Sequence, residues 1–108
     1  MARRMDETIT LDFTTHNPDT GQVQDADGLP SCEVFEDDTD APMITPAVVK
    51  RAGKVGDYRV TFVASDANGF EAGKSYNVII TAAVNFITAK ARISSFALGS
   101  FAPPHFKI

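Results

Sequence analysis

GDYRVTFVASDANGFEAGKSYNVIITAAV, residues 56–84, contains two runs of alternating apolar and polar residues separated by a turn-rich stretch. Tyr58, Val60, Phe62 and Ala64 share one face, against Arg59, Thr61 and Val63 on the other. Tyr76, Val78, Ile80 and Ala82 repeat the pattern against Asn77, Ile79 and Thr81, a run apolar enough on both faces to predict a central strand. A period of two is the mark of a strand with a buried face, because successive side chains point to opposite sides of the pleat. No window of the chain sustains the i, i+3, i+4, i+7 spacing of an amphipathic helix.

The same pattern extends outward in both directions. Downstream, Ile87, Ala89, Ala91 and Ile93 alternate with Thr88, Lys90, Arg92 and Ser94, after which Phe96 and Leu98 fall on the opposite parity. A β-bulge at Ser94 and Ser95 would reconcile the two halves. Upstream, Ile9, Leu11 and Phe13 predict one strand, and Cys32 with Val34 another. Residues 43–52, MITPAVVKRA, are β-rich but contain Pro46, which cannot donate to a ladder, so they predict an edge strand broken into two short pieces. The connections NPDTGQVQDADGLP, EDDTDAP, GKVGD and SDANG are dense in turn residues. Six or seven short strands so spaced predict an all-β antiparallel sandwich. It occupies residues 8–98 as one domain, with an N-terminal arm at 1–7 and an extended C-terminal arm at 99–108, where Pro103 and Pro104 stiffen the backbone between Phe101 and Phe106.

A chain of 108 residues, 44% hydrophobic and 22% charged, has the size and composition of an ordinary single domain. It buries roughly 65% of its unfolded surface, enough for a core without staples. The single cysteine, Cys32, excludes an intramolecular disulfide and points to a reducing compartment. The opening MARRMDETIT lacks the apolar run of a signal peptide, and no stretch reaches the ~18 apolar residues of a membrane helix. The net charge of -4 is unevenly spread: residues 5–45 hold eleven acids and no base, whereas residues 46–108 hold eight bases and three acids. Such charge either serves solubility or draws acidic and basic patches of neighbouring molecules together. The bases form no dense cluster with interleaved aromatics, which argues against nucleic acid as a partner.

No residue set carries chemistry. His16 and His105 are too far apart in the chain to build a triad or a compact metal set. Cys32 lies at core parity, where a free cysteine behaves as a small hydrophobe. Asp25, Asp27 and Gly28 echo part of a calcium loop without its other ligands, and Glu36, Asp37, Asp38 and Asp40 read as solvated turn residues. Neither a cofactor nor a bound metal is expected.

Within the opening stretch, FEAGKSYNVII at residues 70–80 resembles the corner that precedes the F strand of fibronectin type III and other immunoglobulin-like sandwiches. Phe70, Gly73 and Tyr76 stand at its apolar, glycine and tyrosine positions, while Ala72 replaces the usual proline. The resemblance implies that the Tyr76 hydroxyl bonds backbone across the corner. More widely, residues 8–98, with the Asp25–Ala26–Asp27 loop, the VFED end of a strand at Val34–Asp37 and the 56–84 stretch, are similar to immunoglobulin-like modules of tailed-bacteriophage structural proteins. That similarity implies a non-enzymatic virion component assembled in the host cytoplasm, with other virion proteins and copies of itself as partners and no membrane or free nucleic acid. A small decoration or connecting subunit, docking through its surface and terminal arms, is the first expectation. The partner-binding candidates are Phe101, Pro103, Pro104, Phe106 and Ile108, although the same arm could instead fold back and cap its own core. The alternative is a carbohydrate- or host-surface-binding module of a tail appendage, disfavoured by the absence of tryptophan and by two tyrosines at core parity.

Overall fold

Alternation in the 56–84 stretch becomes two strands on opposite sheets. The computed structural model describes residues 2–37 and 39–99. It contains seven strands: β1 (Ala2–Arg4), β2 (Thr8–Thr14), β3 (Ser31–Glu36), β4 (Val48–Lys50), β5 (Asp57–Val63), β6 (Ser75–Val84) and β7 (Ile87–Gly99), with one 3-10 turn at Asp66–Asn68. One sheet has the order β1-β7-β6-β3 and the other β2-β5-β4. Every pairing is antiparallel except β1 with β7. The molecule is an all-β sandwich, and β6 is central, paired on both sides.

The inward parities meet between the sheets. Ile9, Cys32, Val34, Val48, Tyr58, Val60, Phe62, Tyr76, Val78, Ile80, Phe96 and Leu98 are all buried. At one end the rings of Phe62, Phe70, Tyr76 and Phe96 gather with centroids 4.7–6.4 Å apart. Such ring pairs contribute about 0.5–1.5 kcal/mol each beyond the area they bury.

Four features differ from the sequence reading. Within the segment read as an N-terminal arm, Ala2–Arg4 is a strand, running parallel to β7 with Ala2 opposite Ala97 and Arg4 opposite Gly99. The broken strand at 43–52 does not lie on one edge. Before Pro46, Ile44 bridges Val34 of the larger sheet, and after it β4 pairs with β5 of the smaller one. Proline, unable to continue a ladder, therefore sits where the chain changes sheets. The bulge falls at Ile93 instead of Ser94 and Ser95: Arg92 faces Ile79 and Ser94 faces Val78, leaving Ile93 as the extra residue. Both serines keep partners, and the Ser95 hydroxyl lies 2.8 Å from Asn77 Oδ1.

The fourth difference is that the first half of β7 is uncovered. Residues 87–92 are exposed on both faces although their alternation is that of a half-buried strand. The residues of the C-terminal arm from Ser100 onward, with Phe101, Pro103, Pro104, His105, Phe106 and Ile108, lie outside the described residues, as does Asp38.

Candidate interaction surface

Strands β6 and β7 are joined by a two-residue turn, Asn85–Phe86, with φ of 52° and 66°. Positive φ at both central positions defines the hairpin turn whose twist suits the flanking strands. Asparagine tolerates that region, but a phenylalanine there is strained by its own Cβ, and glycine is the usual occupant. The ring is also 93% exposed, and Ile87 beside it is half exposed.

What holds the turn is the loop containing Asp25, Ala26 and Asp27. Asn85 N–H donates to Asp27 Oδ1 at 3.0 Å, and Phe86 N–H donates to Oδ2 at 2.7 Å. The clasp is itself fixed: Asp27 N–H donates to the Ala83 carbonyl (2.7 Å), and Ala26 N–H donates to the buried Tyr58 hydroxyl (2.9 Å). Asp25 accepts from Gly56 N–H at 2.5 Å. Gly56 has no substitute, since a Cβ there would stand 2.6 Å from Val23 Cγ1 and 2.9 Å from the Thr15 carbonyl oxygen. The two aspartates are turn fasteners, and together they present one aromatic ring to solvent on a rigid support.

Beneath this tip runs a cleft of ≈ 200 Å³ between the two sheets. Its floor is the inward face of the hairpin, with Ala82, Ile87, Ala89, Ala91 and Ile93, and its opposite wall comes from Phe13 and the segment through His16 and Pro18. The floor residues Ile87, Ala89 and Ala91 are exposed, so the smaller sheet leaves this part of the hairpin uncovered. A broader hollow of ≈ 490 Å³ on the outer face of the larger sheet has Glu36, Asp37 and Asp40 on its lining together with Lys90 and Arg92.

The remaining candidates have structural surroundings. Phe70, Gly73 and Tyr76 come together at the corner before β6. Tyr76 is fully buried, and its hydroxyl accepts from Glu71 N–H at 2.8 Å. Gly73 has φ of 85°, which lets the chain turn into the strand, and its N–H donates to the Leu98 carbonyl. Cys32 is 2% exposed, and burial, with the Glu33 charge, pushes its thiol up to about 11. His16 is exposed and forms an isolated bridge with Val23 through its backbone. Among the described residues, no three His, Cys, Asp or Glu side chains are grouped to hold a metal.

Acidic and basic parts of the chain pair with each other across the strands. Asp12 on β2 receives Arg59 at 2.7 Å and Arg51 at 3.2 Å, Lys50 lies 3.6 Å from Asp25, and Lys74 lies 3.5 Å from Glu36. Sequence reasoning weighed only solvation and intermolecular attraction for this asymmetry. It also missed Phe86, for which a sequence signal exists: Asn85 at the midpoint between two alternating runs. No family model, no curated protein sequence and no solved structure matches the chain.

Proposed function

We propose that this chain is a non-enzymatic structural subunit of a tailed-phage particle, a small decoration or connecting protein that docks through the β6–β7 hairpin. The observation that carries the docking role is Phe86, an aromatic ring held in the open at positive φ by a two-point carboxylate clasp. Strain maintained at an exposed, rigidly supported position is a feature of binding sites, and buried aromatic anchors dominate interface energetics. The phage assignment is supported by the resemblance of residues 8–98 to phage immunoglobulin-like modules. Sheet orders of β2-β5-β4 and β7-β6-β3 agree with the B-E-D and G-F-C orders of immunoglobulin-like sandwiches, which favours the same reading. A sugar-binding role has less support, because Tyr58 and Tyr76 are both buried and Phe86 is the one exposed aromatic ring among the described residues, a single ring without a second platform beside it.

The test is a pair of substitutions read in two assays. Phe86→Gly relieves the strained φ and is expected to raise stability by roughly 0.5–1 kcal/mol in urea unfolding. The same variant, and Phe86→Ala, should lose incorporation into particles, counted as copies per particle by quantitative mass spectrometry. Incorporation at the native level by both variants would remove the hairpin from the docking surface. Absence of the native chain from purified particles would remove the phage assignment.

A further inference from the structure

The cleft lies along the first half of β7, from Ile87 to Ile93, whereas the chain leaves the described fold at Gly99, the end of that strand. At a rise of about 3.3 Å per residue, Ile87 and Gly99 are about 40 Å apart along β7. Beyond Gly99 the sequence supplies Phe101, Phe106 and Ile108 around Pro103 and Pro104. Phe106 is seven residues past Gly99 and reaches about 25 Å at full extension, short of the far end of its own cleft. That reach covers only the near end of the cleft at Ile93, about 20 Å from Gly99, and falls short of Ala89 on its floor, about 33 Å away along the strand.

We propose that the cleft of each copy receives the arm of a second copy, with Phe106 as the inserted ring and Pro103–Pro104 as the strut that carries it across. The inference rests on the chain being an assembly subunit, and it names how copies join. A dry apolar cavity of about 150 Å³ accommodates one benzene ring, so a cleft of ≈ 200 Å³ is sized for a single phenyl side chain. The alanines at 82, 89 and 91 leave room on the floor for that ring, and Ile87 and Ile93 give it apolar contacts. Two consecutive prolines remove the backbone donors needed to extend a sheet, so the arm docks by its side chains. Because cleft and arm are different surfaces, the contact is heterologous and propagates head to tail into a ring or a filament.

Sedimentation velocity of the full chain tests this. The native chain should form species larger than a dimer as its concentration rises. Phe106→Asp in the arm and Ala89→Glu on the cleft floor should each weaken association about tenfold or more, while both variants melt near the native temperature. The two substitutions carry the same charge and cannot rescue one another. Mixed in equal amounts, they should form a dimer that does not grow, because one intact arm meets one intact cleft. A peptide of residues 99–108 added to unaltered protein should return the oligomers to monomer. Four results would each overturn the proposal: a native chain that stays monomeric, single variants that assemble normally, a mixture that stays monomeric, or a peptide without effect. Arm insertion is read by sedimentation of the isolated chain and hairpin docking by incorporation of the Phe86 variants into particles, so failure of one is distinguishable from failure of the other.

Discussion

Removing one oxygen from Tyr76 separates a ring from a hydrogen bond. In Tyr76→Phe the buried ring stays with Phe70 and Phe96, but Glu71 N–H loses its acceptor at the corner. The expected loss is roughly 1–2 kcal/mol, seen as a lower urea midpoint with an unchanged slope. Cys32 offers a second probe. Its thiol, ordinarily near 9.0, is pushed up to about 11 inside the core. A raised value means that the stabilising contribution is complete below pH 9 and is lost as pH rises toward 11, because the unfolded chain ionises first. A disulfide reagent at pH 8 should accordingly react slowly with native protein and quickly in denaturant, and equal rates would place the thiol at the surface. These inward positions were readable because alternation is local: each residue's face follows from its neighbour's. For Phe86 only the turn was signalled, by Asn85; the clasp that holds its ring open was not, since it comes from an aspartate 59 residues earlier in the chain.

At the scale of the element, the bulge decides which side chains β7 sends to the core. Ile93 is the extra residue, so a chain lacking it keeps every other pair of β6 with β7 and leaves Phe96 and Leu98 inward. We expect that deletion to fold, with stability reduced by the loss of one half-buried isoleucine. Deleting Ala97 instead turns Leu98 outward and empties a buried leucine site, which should cost about 2–5 kcal/mol or abolish folding. Comparable melting temperatures for the two deletions would contradict the register. A parity flip between Ile93 and Phe96 announces a bulge but not its residue, because two serines and one isoleucine can each take the extra place. The cleft was hidden for a related reason. The apolar alternation of Ile87, Ala89 and Ala91 specifies a face, whereas whether the opposing sheet covers that face depends on how far its strands run, which alternation does not carry.

Across the whole molecule the charge asymmetry of the sequence is turned inward on itself. Asp12 bridges to β5 and to the turn after β4, tying all three strands of the smaller sheet at their exposed face. The hydrogen bond from Arg59 holds the Asp12 carboxyl below its ordinary 3.8, so this link acts above that value and fades as pH falls through the lowered one. The parallel alignment of β1 with the end of β7 bears on mechanics. The described chain starts at Ala2 and ends at Gly99 on adjacent strands that run in the same direction. Tension applied between those ends pulls the two strands past each other, so their hydrogen bonds are loaded together in shear and cannot be opened one at a time like a zipper. Handles at residues 2 and 99 in an optical trap should therefore meet a higher rupture force than handles at Ser75 and Gly99, which sit at the same end of the antiparallel β6–β7 pair and open its ladder one bond at a time. Equal forces would mean that β1 bears no load. A pull between residues 2 and 99 would thus fall on a three-residue strand, making one of the shortest elements of the fold its tensile link.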